Sequence, residues 1–298
     1  MPSMASVSAV DIKNKKVKRQ SNFTGVLKRL AENPGAIAGL AIFSLMILVA
    51  IFAPVLSPYK YNAINVMEAY QFPSLAHPFG TDQLGRDILS RLMYGARYSL
   101  QIGIWATLIG TVFGILLGAL AGYFGKAVDE IVMRMCDVLQ SMPGMILNVA
   151  IASALGPGFM NCIIALSVAG IPRAARLIRA SILSIRDMEY IQAASLSNCS
   201  TTKIIAKHLV PNAISSSIVQ ATMSVGTAIT GAAGLAYLGL GVQPPTPEWG
   251  AMLSEGRIYI RSNPYMCIFP GILIVITVLS LNLLGDGLRD ALDPKLKK

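Results

Sequence analysis

Charge is scarce in this sequence. Only 13% of its 298 residues are Asp, Glu, Lys or Arg, whereas a soluble domain carries about 25%. A water-facing surface would be hard to cover with so little, but a lipid-facing one needs no such cover. Histidine is scarcer still, with only His77 and His208, and the four cysteines, Cys136, Cys162, Cys199 and Cys267, form no CxxC pair. A structural zinc site needs four clustered ligands, so metal chemistry is unsupported and the thiols read as buried apolar groups. No GxxxxGK[ST] loop is present, so ATP binding through a P-loop is excluded. HExxH and GxSxG are absent too. Acidic residues are nearly missing from the long apolar runs, which argues against a proton-driven pump. The formal charge of +10 raises the question of nucleic acid. Its basic residues, however, lie between apolar runs rather than in a basic, aromatic-interleaved domain. They read as topology signals and lipid-headgroup contacts.

What the sequence has in abundance is apolar length. Residues 33–59 are uncharged for 27 positions, more than the roughly 20 that cross a bilayer. They are too long for the core of a cleaved signal peptide, so the run reads as an anchor that stays. Uncharged runs recur at 98–125, 138–172, 209–247 and 262–285. The second of these is too long for one span, and Gly156-Pro157-Gly158 divides it. Six transmembrane helices are predicted, over about 35–58, 98–125, 131–155, 159–178, 213–238 and 262–285. In the second, Gly103, Gly110, Gly114, Gly118 and Gly122 form a stripe that admits another helix to backbone contact.

The intervening segments follow. Residues 1–34 are a basic tail in which Phe23, Val26, Leu27 and Leu30 trace one apolar helix face, predicting an amphipathic surface helix. Residues 59–97 are polar, and 82–97 predict a second surface helix capped by Thr81 or Asp82, with Asp87 and Arg91 as an i, i+4 pair. Arg173, Arg176 and Arg179 share a face at the predicted membrane border, where headgroups would hold them, and Glu130, Arg134 and Asp137 can pair among themselves. Residues 98–288 form the core, and 289–298 a basic tail. With the N-terminus inside, 19 of the 25 Lys and Arg fall on the cytoplasmic side. The positive-inside rule therefore predicts both ends in the cytoplasm.

Two sets of motifs sharpen this. Within 186–212 stand Glu189-Tyr190-Ile191-Gln192-Ala193-Ala194, then Asn198, Ile204-Ile205, His208, Leu209 and Pro211-Asn212. This stretch resembles the EAA loop of ABC importer permeases, with Gln192 where the family usually has Glu and Asn198 where it usually has Gly. Asn tolerates positive φ, so the turn can survive. His77-Pro78-Phe79-Gly80-Thr81-Asp82, Gly85-Arg86-Asp87, Ser90-Arg91 and Gly95-Ala96-Arg97 form the second set. With the run from Tyr237 to Leu253 and Asn282 to Asp290, they resemble C-type permease subunits of the dipeptide, oligopeptide and nickel ABC importer family.

The resemblance covers about residues 35–298 and implies a type I ABC importer permease fold in the inner membrane. It implies no enzyme activity and no cofactor on this chain, ATP and Mg residing on partner subunits. Those partners would be a B-type permease, two ATPase subunits and an extracytoplasmic binding protein, besides membrane lipids. Glu189, Tyr190, Gln192, Ala193, Ala194, Asn198, His208, Pro211 and Asn212 would form the ATPase-coupling element, its two alanines letting a short helix enter a groove of the ATPase. The substrate would be short peptides, with nickel chelates, glutathione or another small polar solute as the alternative. A channel or scaffold without ATP coupling is the remote rival. No residue of the substrate path is named by the sequence.

Overall fold

The computed structural model describes residue 25 and residues 29–292. Phe23, Val26 and Leu27 of the predicted amphipathic helix lie outside them. Among the described residues the regular structure is all helical, with one isolated bridge between Thr81 and Asp87 and no strand. The long helices are α1 (Pro34–Leu56), α2 (Ile88–Phe124), α5 (Phe159–Ile185), α8 (Val210–Tyr237) and α10 (Tyr265–Leu292). Between them lie α3 (Lys126–Gln140), α4 (Gly144–Leu155), α6 (Glu189–Leu196), α7 (Thr201–Ile204) and α9 (Trp249–Gly256). Five helical runs are long and apolar enough to cross a membrane, and α3 with α4 make a sixth if that bent pair is one span.

Local chemistry sets the ends. Asn33 Oδ1 accepts the Ala36 N–H at 3.2 Å, and Pro34 occupies the first turn of α1, where no donor is lost. Asp87, not Thr81 or Asp82, caps α2 by accepting the Ser90 N–H at 2.7 Å. The predicted surface helix over 82–97 is therefore corrected. Residues 82–87 are turns, and 88–97 are the first turns of the second span itself. No proline interrupts 88–124, so the helix continues for 37 residues, roughly 55 Å. Ile88 and Leu92 are buried in the core and do not lie along a membrane surface.

The third span is also corrected. It is not one helix over 131–155 but two, bent by 89° at residues 141–143. Pro143 lacks an N–H and biases Met142 away from helical backbone. Three boundaries move outward. α5 continues to Ile185, and α10 runs to Leu292, inside the predicted tail. α7 and α8 join into one run from Thr201 to Tyr237 through a π-helical turn at Ile205–Leu209. That turn precedes Pro211, whose ring crowds the carbonyl four residues back.

The glycine stripe sits where two helices touch. A Cβ on Gly114 would lie 2.4 Å from Ala174 Cβ, and one on Gly118 would lie 2.3 Å from the Ala175 carbonyl oxygen. Thus α2 and α5 meet at backbone distance, where packing in lipid draws its attraction from close contact. Gly103 faces Val225 and Ile229 of α8 in the same way. The opposite faces carry exposed Leu45, Ile51, Val55, Phe113 and Leu116, as lipid contact demands.

Ion pairs fasten the ends. Arg176 donates to Asp137 at 2.6 Å, and Arg179 donates twice to Asp129. These join α5 to α3, so the arginine face is not simply a headgroup surface, and Asp137 pairs across helices rather than with Arg134. On the other side, Asp82 and Glu255 hold Arg86 and Arg91, with Arg86 Nε–Asp82 at 2.6 Å and Arg86 Nη2–Glu255 at 2.9 Å. The predicted Asp87–Arg91 pair gives way to this four-residue network. Asp87 turns instead to His77 Nδ1 at 2.9 Å. The network ties the 57–87 loop and α2 to α9.

Candidate functional site

The 186–212 segment folds as a helix, a tight turn and a second helix. α6 ends in a Schellman turn: Cys199 N–H donates to the Ala194 carbonyl, Asn198 N–H to the Ser195 carbonyl, and Asn198 takes φ +54°. Asn is among the few residues that enter this region cheaply, which is how the turn forms without glycine. Ile191 and Ile204 turn inward onto Ile178, Ile182 and Leu209. Outward point Glu189, Tyr190, Gln192, Ala193 and Leu196. Spacing of three and four places Glu189, Gln192, Ala193 and Leu196 on one face.

The two alanines therefore differ. Ala193 is exposed, whereas Ala194 is half-buried against the chain's own cluster. Ala194 thus offers less free surface than Ala193. Leu196, which the sequence reading passed over, is 89% exposed. A bare leucine on a polar segment was the signal for it. Pro211 and Asn212 are exposed at the foot of α8, where Asn212 Nδ2 donates to the half-buried His208's carbonyl at 2.6 Å.

A cavity of about 840 Å³ lies among α2, α4, α5, α8 and the bend between α3 and α4. Its wall includes Thr107, Asn148, Arg173, Gln220, Ser224 and Thr227, and no Asp, Glu or aromatic residue. Asn148 Oδ1, Thr107 Oγ1 and Ser217 Oγ there have no hydrogen-bond partner among the described residues. Of these residues the sequence reading named Arg173 alone, and not as part of a cavity. One signal was available: Ser217, Gln220, Ser224 and Thr227 recur at spacings of three, four and three along an apolar helix, which draws a polar stripe.

Above the cavity the family-like motifs act as a fastening. Trp249, fully buried, donates Nε1–H to the Leu92 carbonyl at 3.0 Å and its N–H to Ser99 Oγ at 3.0 Å. Glu248 caps α9 by accepting the Ala251 N–H at 2.8 Å and takes the Ser99 hydroxyl at 2.7 Å. Burial pushes its carboxyl above the usual carboxylate range. At Gly85, φ is +70° and an added Cβ would lie 1.8 Å from the Asn65 carbonyl oxygen, so only glycine fits. These motifs thus serve packing between the loop and the spans, while the exposed α6 face and the cavity are left open to contact.

Comparison with known proteins agrees with this arrangement. Residues 114–298 match the family described as "binding-protein-dependent transport system inner membrane component", and residues 21–74 match the N-terminal transmembrane domain of oligopeptide transport permease C. The chain is 46% identical to the dipeptide transport system permease protein DppC of Alkalihalophilus pseudofirmus, over 91% of this chain and 89% of that one. It is 44% identical to the glutathione transport system permease protein GsiD of Pectobacterium atrosepticum, over 90% and 89%. A solved structure of the MetNI methionine ABC transporter shares the fold at a TM-score of 0.55 and 22% identity, over 68% of this chain and 97% of that one. With multi-pass helices, family match and close relatives in hand, the chain belongs to the inner membrane permease components of binding-protein-dependent ABC importers.

Proposed function

We propose that this permease forms half of a translocation path for short peptides. The observation that carries the reading is the cavity, a space of about 840 Å³ whose largely apolar, carboxylate-free wall is set with Thr107, Asn148, Arg173, Gln220, Ser224 and Thr227. A solute of peptide size and polarity suits both. The 46% identity to a dipeptide permease supports the choice of cargo. The 44% identity to a glutathione permease favours a second reading, in which the cargo is that tripeptide.

In this reading a B-type permease completes the path, and an extracytoplasmic binding protein delivers cargo. Two ATPase subunits, which hold ATP and Mg, dock on the outward face of α6 through Glu189, Gln192, Ala193 and Leu196. Both termini lie in the cytoplasm, as the bias of 19 among 25 basic residues implies. Asn198 and the π-helical turn before Pro211 connect α6 rigidly to α8, so movement of an ATPase is passed to a cavity wall.

The test is ATP-driven uptake by the full complex in vesicles, offered a dipeptide, a longer oligopeptide, glutathione and a nickel chelate separately. Dipeptide accumulation is expected. Accumulation of the nickel chelate alone would overturn the peptide reading.

A further inference from the structure

The arginines of α5 are of two kinds. Arg176 and Arg179 are engaged with Asp137 and Asp129. Arg173, one turn further into the span, forms no ion pair with any described residue and is exposed on the cavity wall. Among the described residues it is the wall's one cation, and no acidic residue lines the same space. It lies 14 residues from the start of α5 at Phe159, which is roughly 21 Å along the helix axis. An unpaired guanidinium on the largely apolar wall of a membrane protein's cavity is costly unless water and an anion reach it. Gln140, Gln220 and Ser224 share the cavity with it and supply neutral hydrogen-bonding groups that compete for no charge.

We propose that Arg173 is a specificity residue of the path, binding the C-terminal carboxylate of the transported peptide. The guanidinium fork matches a carboxylate through two parallel hydrogen bonds, and the missing acids leave that fork free for cargo. The wall also lacks aromatic rings, so stacking cannot hold the guanidinium in place of an anion. This inference rests on the peptide reading and deepens it.

The experiment uses the full complex in phosphatidylcholine vesicles. ATP-driven uptake is measured for a dipeptide and for its C-terminal amide, which differ in that one charge. The ratio of the two rates is compared among wild type, Arg173→Gln and Arg173→Lys. Preferences of the binding protein are common to all three and cancel, as does any fraction of inactive complex. Arg173→Gln is expected to reduce the acid-to-amide ratio roughly tenfold, the worth of a hydrogen bond to a charged group, while Arg173→Lys keeps most of it. An unchanged ratio in Arg173→Gln would overturn the inference, even if both rates fell together. Repeating the set with phosphatidylglycerol separates the other anion source. If Arg173→Gln changes uptake of both peptides only there, with a constant ratio, the residue serves a lipid headgroup and the inference falls. Failure of wild type to take up either peptide would refute the peptide reading itself.

Discussion

Gly118 and Gly170 stand on the two sides of the same helix pair and should respond oppositely to one methyl group. At Gly118 the new Cβ would sit 2.3 Å from the Ala175 carbonyl oxygen, whereas ordinary contact begins near 3.4 Å. A carbonyl in a helix has no rotamer to change, so α2 and α5 must separate by about 1 Å, which forfeits a quarter to half of each affected dispersion contact. Overpacking of this kind costs roughly 1–3 kcal/mol. The intrinsic gain of alanine over glycine in a helix, about 1 kcal/mol, offsets only part. At Gly170 nothing lies within 4 Å of the added carbon, so that gain stands alone. Thermal unfolding of the detergent-solubilised protein, followed by size-exclusion fluorescence, reads both variants. Gly118→Ala is expected to lower the apparent Tm by several degrees, and Gly170→Ala to leave it unchanged or raise it. Equal or higher stability in Gly118→Ala would refute the claim that the stripe sets the distance between these helices.

Three further outcomes are expected. Asp82→Asn leaves Arg86 and Arg91 short of a buried counter-charge, and loss of one partner from such a network costs about 3–5 kcal/mol; limited proteolysis is then expected to cut the 57–87 loop faster in the variant than in the wild type. Glu248→Gln retains the cap by directing its oxygen to Ala251, and it removes an acid whose pKa burial raises. The acid's contribution is fullest below the ordinary glutamate range and is lost as pH rises through the raised value, so the variant should gain Tm relative to wild type on moving from acid to neutral pH. Reporter fusions after Tyr70 and Met252 should both read extracytoplasmic; a cytoplasmic signal at either would reverse the proposed orientation.

The spans were legible because uncharged length is a direct consequence of crossing lipid. The glycine stripe was legible for a related reason, since spacing of four survives any detail of tertiary structure. The beginning of α2 was not, because Leu84, Ile88 and Leu92 share a helical spacing although Leu84 lies in a turn and the other two in a helix. Asp87 looked like a partner for Arg91 at i, i+4, yet its Oδ2 caps the helix at Ser90 and its Oδ1 meets His77. Glu255, 164 positions from Arg91, could only be found in three dimensions. The break at Pro143 was written in the sequence but hidden inside a long apolar run. At the coupling segment, Asn198 could be read as a turn from its chemistry, while the unequal exposure of Ala193 and Ala194 needed the packing of α6 on Ile178 and Ile182. The cavity was the least legible part, since its wall is gathered from four helices and a bend.

The central claim is that a separate ATPase drives this permease through the outward face of α6. The most direct test is co-purification of the ATPase subunits with Ala193→Asp, alongside ATP-dependent uptake. Ala193 is exposed on the chain itself, so aspartate there leaves folding and membrane insertion intact, yet in a docked interface it buries an unpaired charge worth several kcal/mol. The expected result is a permease present at normal levels, stripped of ATPase and inactive in uptake. Full retention of both the ATPase and uptake would contradict the assignment of α6 as the coupling element.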